Sequence, residues 1–182
     1  RLSRHLTKGT PTDALKAYLS LVKKWCPQQP VIHIDDSDVV KPDGHKFESL
    51  GWVRDGSECT ATKNVYKKGY HVTEATVLTH NHHPVSIFSE IHSSNEKGFT
   101  SINDVTFSAM ERGCAMFGKA VFVMDRGYDD NKMFLKLDSM KQNYVIRLTA
   151  KRKLFYHNKW TYATELCNRR KGKVKLPLFY KG

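Results

Sequence analysis

The sequence predicts an α/β fold built on a mixed sheet, and three observations predict it. Two short apolar runs, Val31–Ile34 and Val121–Met124, each end on a carboxylate, Asp35 and Asp125. Buried strands of α/β proteins present their ligand-binding groups in this way, at their carboxyl ends. Between the runs, residues 64–91 read as an antiparallel meander and residues 101–117 as an amphipathic helix. That succession supplies the crossover a parallel pair of strands needs, and it would bring both carboxyl ends to one edge.

Taken in order, Thr10-Pro-Thr-Asp13 is a helix start, with proline near the first turn and an acid just inside. Leu15, Tyr18, Leu19, Val22 and Trp25 follow at helical spacing, so this helix is expected to pack one face on the core. Pro27 and Pro30 stop it and launch a strand from Val31 to about Val40, apolar on both faces as far as Asp35. Gly44, Gly51, Gly56 and Gly69 punctuate a region of turns and short strands, with Lys67-Lys-Gly69 expected to turn Asn64–Tyr66 back into His71–Thr79. Pro84 begins a further strand through Val85, Ile87 and Ile91.

From Ser101 the period changes to that of a helix of about four turns, capped by Ser101 or Thr100 and ended by Gly118. A strand over Ala120–Met124 comes next, then a helix capped by Asp129 or Asp130 with Met133, Phe134, Leu137 and Met140 on one face. Tyr144–Thr149 alternates as a strand, and Leu154–Tyr156 with Trp160–Tyr162 reads as a hairpin around His157-Asn-Lys159. A last strand is expected over Lys173–Tyr180.

The chain has 182 residues, enough for one domain with a real core or a domain plus an appendage. Its formal charge of +12 points to a polyanionic partner. From Lys141 to Gly182 there are twelve Lys and Arg and one acid, Glu165, so nearly all of the excess lies in the last quarter. A charge run is often only a solvated tail. Here Phe155, Tyr156, Trp160, Tyr162, Phe179 and Tyr180 are interleaved with it, which argues for a folded basic surface facing nucleic acid. The four cysteines are far apart with no Cys-x-x-Cys pair, as in the reduced thiols of a cytoplasmic protein. No apolar run reaches membrane-spanning length, and no membrane partner is expected. Starting at Arg1 and stopping at Gly182 after a strand-like run, the chain reads as a piece of something longer.

Three motifs carry a resemblance. Ile34-Asp35-Asp-Ser-Asp-Val39, Met124-Asp125-Arg-Gly-Tyr128 and Tyr144-Val-Ile-Arg147-Leu, in that order, resemble the DDE transposases of bacterial insertion sequences. The subgroup whose ribonuclease-H-like core is interrupted by a β-strand insertion is the nearest in pattern, and the resemblance runs over essentially the whole chain. Each motif alone is weak; the three in order, followed by a basic tail, are fairly specific. The resemblance implies a helical lead-in over residues 1–30, a ribonuclease-H-like core over 31–150 and the start of a basic β insertion over 151–182. It implies Asp35 and Asp125 as catalytic, metal-holding acids, with the choice between Asp35 and Asp36 left open, and Arg147 facing DNA. It further implies double-stranded DNA partners (transposon ends and target), a dimer assembled on paired ends, and a bacterial, nucleoid-associated location. The family's third acid is a Glu in a Tyr-x-x-Arg-x-x-x-Glu helix, and no such context exists here; Glu165 follows Tyr162 without the required Arg. The expectation for this piece is DNA binding without complete catalysis.

The chemistry fits the residue types. In-line displacement at phosphorus uses two divalent ions roughly 3.5–4 Å apart, one activating the attacking oxygen and one stabilising the leaving oxygen. Hard cations such as Mg²⁺, with Mn²⁺ as substitute, take carboxylate oxygens rather than His or Cys. Water would first nick the transposon end, and the freed 3′-hydroxyl would then attack target DNA. Lys151-Arg152-Lys153 and Arg169-Arg170-Lys171 would touch the phosphate backbone without reading sequence. Arg126 has two readings of equal weight, pairing with a nearby carboxylate or touching phosphate.

Plainer and rival readings stand beside these. Asp35 and Asp125 are alternatively turn-capping acids, and Asp129 and Asp130 are most simply helix caps. His80-Asn-His-His83 with His92 or Cys59 is a candidate zinc set, but a polar turn explains it more simply. Asp36-Ser-Asp38 imitates the Asp-x-Asp pair of haloacid-dehalogenase-type phosphatases, although Val40 stands where that motif has Thr and a meander is no repeated βα unit. A DNA-binding domain with no catalysis is the rival from outside enzymes.

Overall fold

The computed structural model describes residues 12–170. The chain divides into two compact units, Arg1–Phe122 and Val123–Gly182. It is a mixed α/β structure, as the sequence predicts.

The first unit holds α1 (Thr12–Trp25), β1 (Val31–Val40), β2 (Gly51–Arg54), β3 (Tyr66–Leu78), β4 (Pro84–His92), α2 (Ile102–Phe117) and the first half of β5 (Val121–Met124). The long strand β3 organises it. One edge of β3 pairs antiparallel with β1, from Gly69↔Val40 to Val77↔Ile32. The other edge carries β2 and β4 in tandem, β2 over Tyr66–Gly69 and β4 over His71–Leu78, both antiparallel. The predicted meander is therefore present, but Lys67-Lys-Gly69 is not a turn. It lies inside β3, where Gly69 faces Val40 on one side and Gly51 on the other. A Cβ on Gly69 would fall against the Val39 carbonyl and a Val53 methyl, so close approach of two neighbouring strands requires glycine there. From sequence, the same glycine reads as punctuation.

Alternation along β1 and β3 gives the sheet two unlike faces. Ile32 and Ile34 of β1 are buried with Ala75 and Val77 of β3, whereas His33 and Asp35 are exposed. The expectation that β1 is apolar on both faces is thus corrected, because within this unit α2 packs on the Ile32 face alone. Gly113 of α2 comes so near that a Cβ would stand 2.7 Å from Ile32 Cδ1 and 3.3 Å from the Phe122 ring. Val105, Ala109 and Met110 of α2 fill the rest of this core with Ile87 and Phe122. Each such large side chain contributes roughly 1.5–3 kcal/mol on burial. The α2 ends match the sequence: the Ser101 side chain accepts from the Asp104 N–H, and Gly118 closes it at φ 72°.

Helix α1 forms where predicted but does not bury the predicted face. Val22 is buried, while Leu15, Tyr18 and Trp25 are exposed. The helix is tied down at few points: the Tyr18 hydroxyl donates to the Ser86 carbonyl at 2.7 Å, and the His80 N–H donates to the Trp25 carbonyl at 2.8 Å.

The second unit begins within β5. A single 3₁₀ turn (Arg126–Tyr128) leads to α3 (Asn131–Ser139), β6 (Asn143–Ile146), a hairpin of β7 (Lys153–Tyr156) and β8 (Lys159–Tyr162), and α4 (Ala163–Arg170). Asp130, not Asp129, caps α3, accepting from the Lys132 N–H at 3.0 Å. Met133, Phe134 and Leu137 form its buried face, and the Phe134 ring stacks on Tyr144 at 5.9 Å. β6 ends at Ile146, short of the predicted Thr149, although the Arg147 N–H still donates to the Met124 carbonyl at 3.3 Å. The hairpin turns through His157 and Asn158, both at positive φ (47° and 60°), as a two-residue primed turn demands. α4 is absent from the sequence reading: Leu166 is its one buried large side chain among the described residues, too sparse an apolar pattern to announce a helix. The strand expected over Lys173–Tyr180 lies outside the described residues.

Candidate functional site

Asp35 stands in the middle of β1 on the exposed face of the sheet, and its cross-strand partner on β3 is Glu74. Directly opposed residues of antiparallel strands hold their Cβ atoms roughly 4.5–5.5 Å apart on one face, and like charges so placed are destabilising. Among the described residues neither carboxylate has a hydrogen bond or an ion pair. A bare pair of acids held side by side by strand register is a place where a cation is welcome. Glu74 was not singled out from sequence, because its only credential is register, which appears once β1 and β3 are paired.

Asp36, one residue on, faces the other way and is fully engaged. The Thr73 hydroxyl donates to Asp36 Oδ1 at 2.5 Å, and Thr73 Oγ1 is also 2.8 Å from His92 Nε2. A hydroxyl has one proton, and it goes to the carboxylate, so His92 Nε2 is the donor in the second bond. His92 is buried between His71 and Phe99, its ring stacked on both, at 5.6 and 5.8 Å. Its Nδ1 has no partner. Burial, and then the charge of His71, push the His92 imidazole below its ordinary value. Asp38 accepts from His71 Nδ1 at 2.6 Å and from the Arg54 N–H at 3.2 Å.

Asp125 caps the 3₁₀ turn: its Oδ1 accepts from the Gly127 N–H at 2.6 Å, and the residue is exposed. The turn-capping reading of this acid is thus realised, with its second oxygen unengaged in that bond. Asp35 belongs to the first unit and Asp125 to the second. Among the described residues, no three His, Cys, Asp or Glu side chains are grouped to hold one metal ion.

The basic residues differ in their surroundings. Arg126 is exposed and makes no ion pair among the described residues. Arg147 and Lys151 are exposed, and Lys153 lies over the Tyr162 ring at 4.9 Å. Arg152 is instead fastened: Nε donates to Asp129 Oδ1, one terminal nitrogen to Asn131 Oδ1 and the other to the Asp129 carbonyl, each at 2.7 Å. Arg169 and Arg170 end α4; their side chains, with Lys171, lie outside the described residues.

The rival sites fit less well. His80–His83 form the turn from β3 to β4, closed by the His82 N–H on the Thr79 carbonyl and the His83 N–H on Thr79 Oγ1. Cys59 is bonded to the Val65 backbone, and His92 to Thr73. Asp36 and Asp38, the imitation of a phosphatase pair, lie inside an antiparallel strand with their carboxylates occupied.

No protein-family model matches the chain, and no curated protein does. Among solved structures it is similar to Mos1 transposase assemblies. One is a Mos1 transposase paired-end complex with the left transposon end, at 10% identity and a TM-score of 0.34, covering 72% of this chain and 39% of that one. A second is a Mos1 mariner paired-end complex with Mn, at 14% identity and a TM-score of 0.34, covering 72% and 40%. A third is a pre-cleavage Mos1 transpososome, at 10% identity and a TM-score of 0.32, covering 72% and 40%. The chain spans about two fifths of the length of each of these three. No helix among the described residues is long and apolar enough to cross a membrane.

Proposed function

We propose that this chain is part of a DDE transposase of the bacterial insertion-sequence type, which binds duplex DNA through its exposed cations and lacks a complete catalytic set. The observation that carries the reading is the bare Asp35–Glu74 pair on the open sheet face, within the motif that suggests a metal-holding acid. The occupied state of Asp36 favours Asp35 as the first ligand. In the parent protein, Asp35 and Asp125 are the acids that hold Mg²⁺ or Mn²⁺ in a ribonuclease-H-like core over residues 31–150. A helical lead-in precedes that core and a basic β insertion begins at 151. An all-carboxylate donor set suits a hard cation. When bound, the metal pair supplies an activated oxygen nucleophile and charge neutralisation at the departing oxygen. The chain's own part is to present two carboxylates and to position the DNA backbone, with Arg126, Arg147, Lys151 and Lys153 as the exposed cations.

The test has a binding arm and an activity arm. Mn²⁺ titrated into the isotopically labelled chain is expected to broaden the Asp35 and Glu74 resonances, and Asp35→Asn to abolish that broadening. The chain is expected to bind duplex DNA with salt-dependent affinity and to show no strand transfer. In the longer parent, Asp35→Ala or Asp125→Ala is expected to abolish transposition while Asp36→Asn retains it. Undisturbed resonances, or transposition by either alanine variant, would overturn the reading.

A further inference from the structure

The exposed face of the β2–β3 ribbon carries a feature that the proposed metal chemistry does not use. Trp52 and Arg54 of β2 lie directly across from Lys68 and Tyr66 of β3, so the four side chains form one cross-strand block. Trp52, in the short strand β2, is 61% exposed, and Tyr66, the first residue of β3, is 56% exposed. Lys68 Nζ sits 4.6 Å from the centre of the Trp52 ring. Neither Arg54 nor Lys68 has an acidic partner among the described residues, whereas Lys67, on the opposite face, is spent on Asp55 and Glu58. The block therefore presents two exposed rings, one of them overlain on one side by the Lys68 ammonium, and two cations without an acidic partner among the described residues, all on one sheet face.

Same-face positions on β3 continue from Tyr66 and Lys68 through Tyr70 and Val72 to Glu74, the neighbour of Asp35. Such positions are about 6.6–6.8 Å apart along a strand. The two rings of the block, Trp52 and Tyr66, are diagonal neighbours across the β2–β3 pair, about 7–8 Å apart, an interval that suits two unstacked bases and does not suit a stacked duplex, whose bases are shielded from side-chain faces. Sequence-tolerant capture of single strands uses this combination of rings for the bases and cations for the phosphates.

We infer that Trp52, Arg54, Tyr66 and Lys68 form a binding surface for single-stranded DNA, on the same sheet face as Asp35. The charge of the block selects a polyanion, and its exposed rings select one with unpaired bases. The inference gives the proposed transposase a place for a strand freed from its complement, but the surface stands on its own geometry and needs no metal.

The experiment is fluorescence anisotropy of a labelled oligothymidylate with the full chain in EDTA, which removes any contribution from the metal reading. Trp52→Ala and Tyr66→Ala are each expected to weaken binding roughly fivefold to a hundredfold, since stacking on one ring is worth about 1–3 kcal/mol. Trp52→Phe and Tyr66→Phe are expected to retain most of the affinity. Lys68→Ala is expected to lower the salt slope by about 0.7. Because binding is read in EDTA and the metal reading is tested with Mn²⁺, failure of the metal site and failure of this surface are separable. Alanine variants that remain folded by circular dichroism yet bind as tightly as the parent chain would overturn the inference. Equal competition by duplex DNA would overturn it too, as would Trp52 fluorescence that soluble quenchers cannot reach, which would mean the block is covered by other parts of the chain.

Discussion

Thr73 donates its hydroxyl proton to Asp36 at 2.5 Å, across the β1–β3 pair, while Asp35 points to the opposite face of the same strand. Two adjacent acids of one motif are thereby given different fates by the alternation of a single strand. Thr73→Val keeps the shape but strands the Asp36 carboxylate and the His92 N–H together. The expected loss is about 1–3 kcal/mol per stranded group in urea unfolding, with Thr73→Ser close to the parent.

His92 makes the fold sensitive to mild acid. Burial and the neighbouring His71 hold its folded imidazole below the ordinary 6.5. As pH falls through that value, the unfolded chain takes up a proton that folded His92 resists. Stability is therefore complete above about 6.5 and declines as pH drops, levelling off below the folded value. Unfolding midpoints between pH 7.5 and 5 are expected to fall more steeply for the parent chain than for His92→Gln, which keeps a donor for Thr73 but does not titrate.

Arg152 and Asp129 are expected to matter for stability more than for DNA. The Asp129 side chain is 1% exposed and also accepts from the Thr149 N–H at 2.7 Å, so removing Arg152 leaves a buried charge half-satisfied. Arg152→Ala is expected to cost roughly 3–5 kcal/mol, the usual result of breaking such a pair. Lys151→Ala and Lys153→Ala are expected to leave the unfolding curve in place and each to reduce the salt dependence of duplex binding by about 0.9. A stable Arg152→Ala chain with weakened DNA binding would reverse that division.

Gly127 keeps Asp125 where it is. A Cβ on Gly127 would stand 2.9 Å from Asp125 Oδ1, so Gly127→Ala must displace the flexible carboxylate rather than the backbone. A small change in unfolding midpoint is expected, and, on the transposase function proposed above, a clear loss of transposition when the substitution is placed in that transposase.

Much of this was legible beforehand because it is local. The Gly118 end of α2, the α2 cap narrowed to Ser101 or Thr100, the α3 cap narrowed to Asp129 or Asp130 and the hairpin at His157–Asn158 are written in residues that contact their own neighbours in the chain. The length of β3 was not legible, because Gly69 reads as a breaker until two flanking strands are seen to need its missing side chain. Likewise α4 has too few apolar positions to show its period, and the exposed face of α1 has the same pattern as a buried one.

The sequence by itself determined the kinds of group available: two motif acids after apolar runs, a basic aromatic C-terminal quarter and a meander that separates the acids. Tertiary structure alone decided which groups meet. It bonded Asp36 to Thr73, left Asp35 bare beside Glu74, fastened Arg152 to Asp129 and set Trp52 against Lys68. The reason is that strand register and fold contacts join residues dozens of positions apart, and a pattern read along one strand carries its own alternation but not the identity of its neighbour.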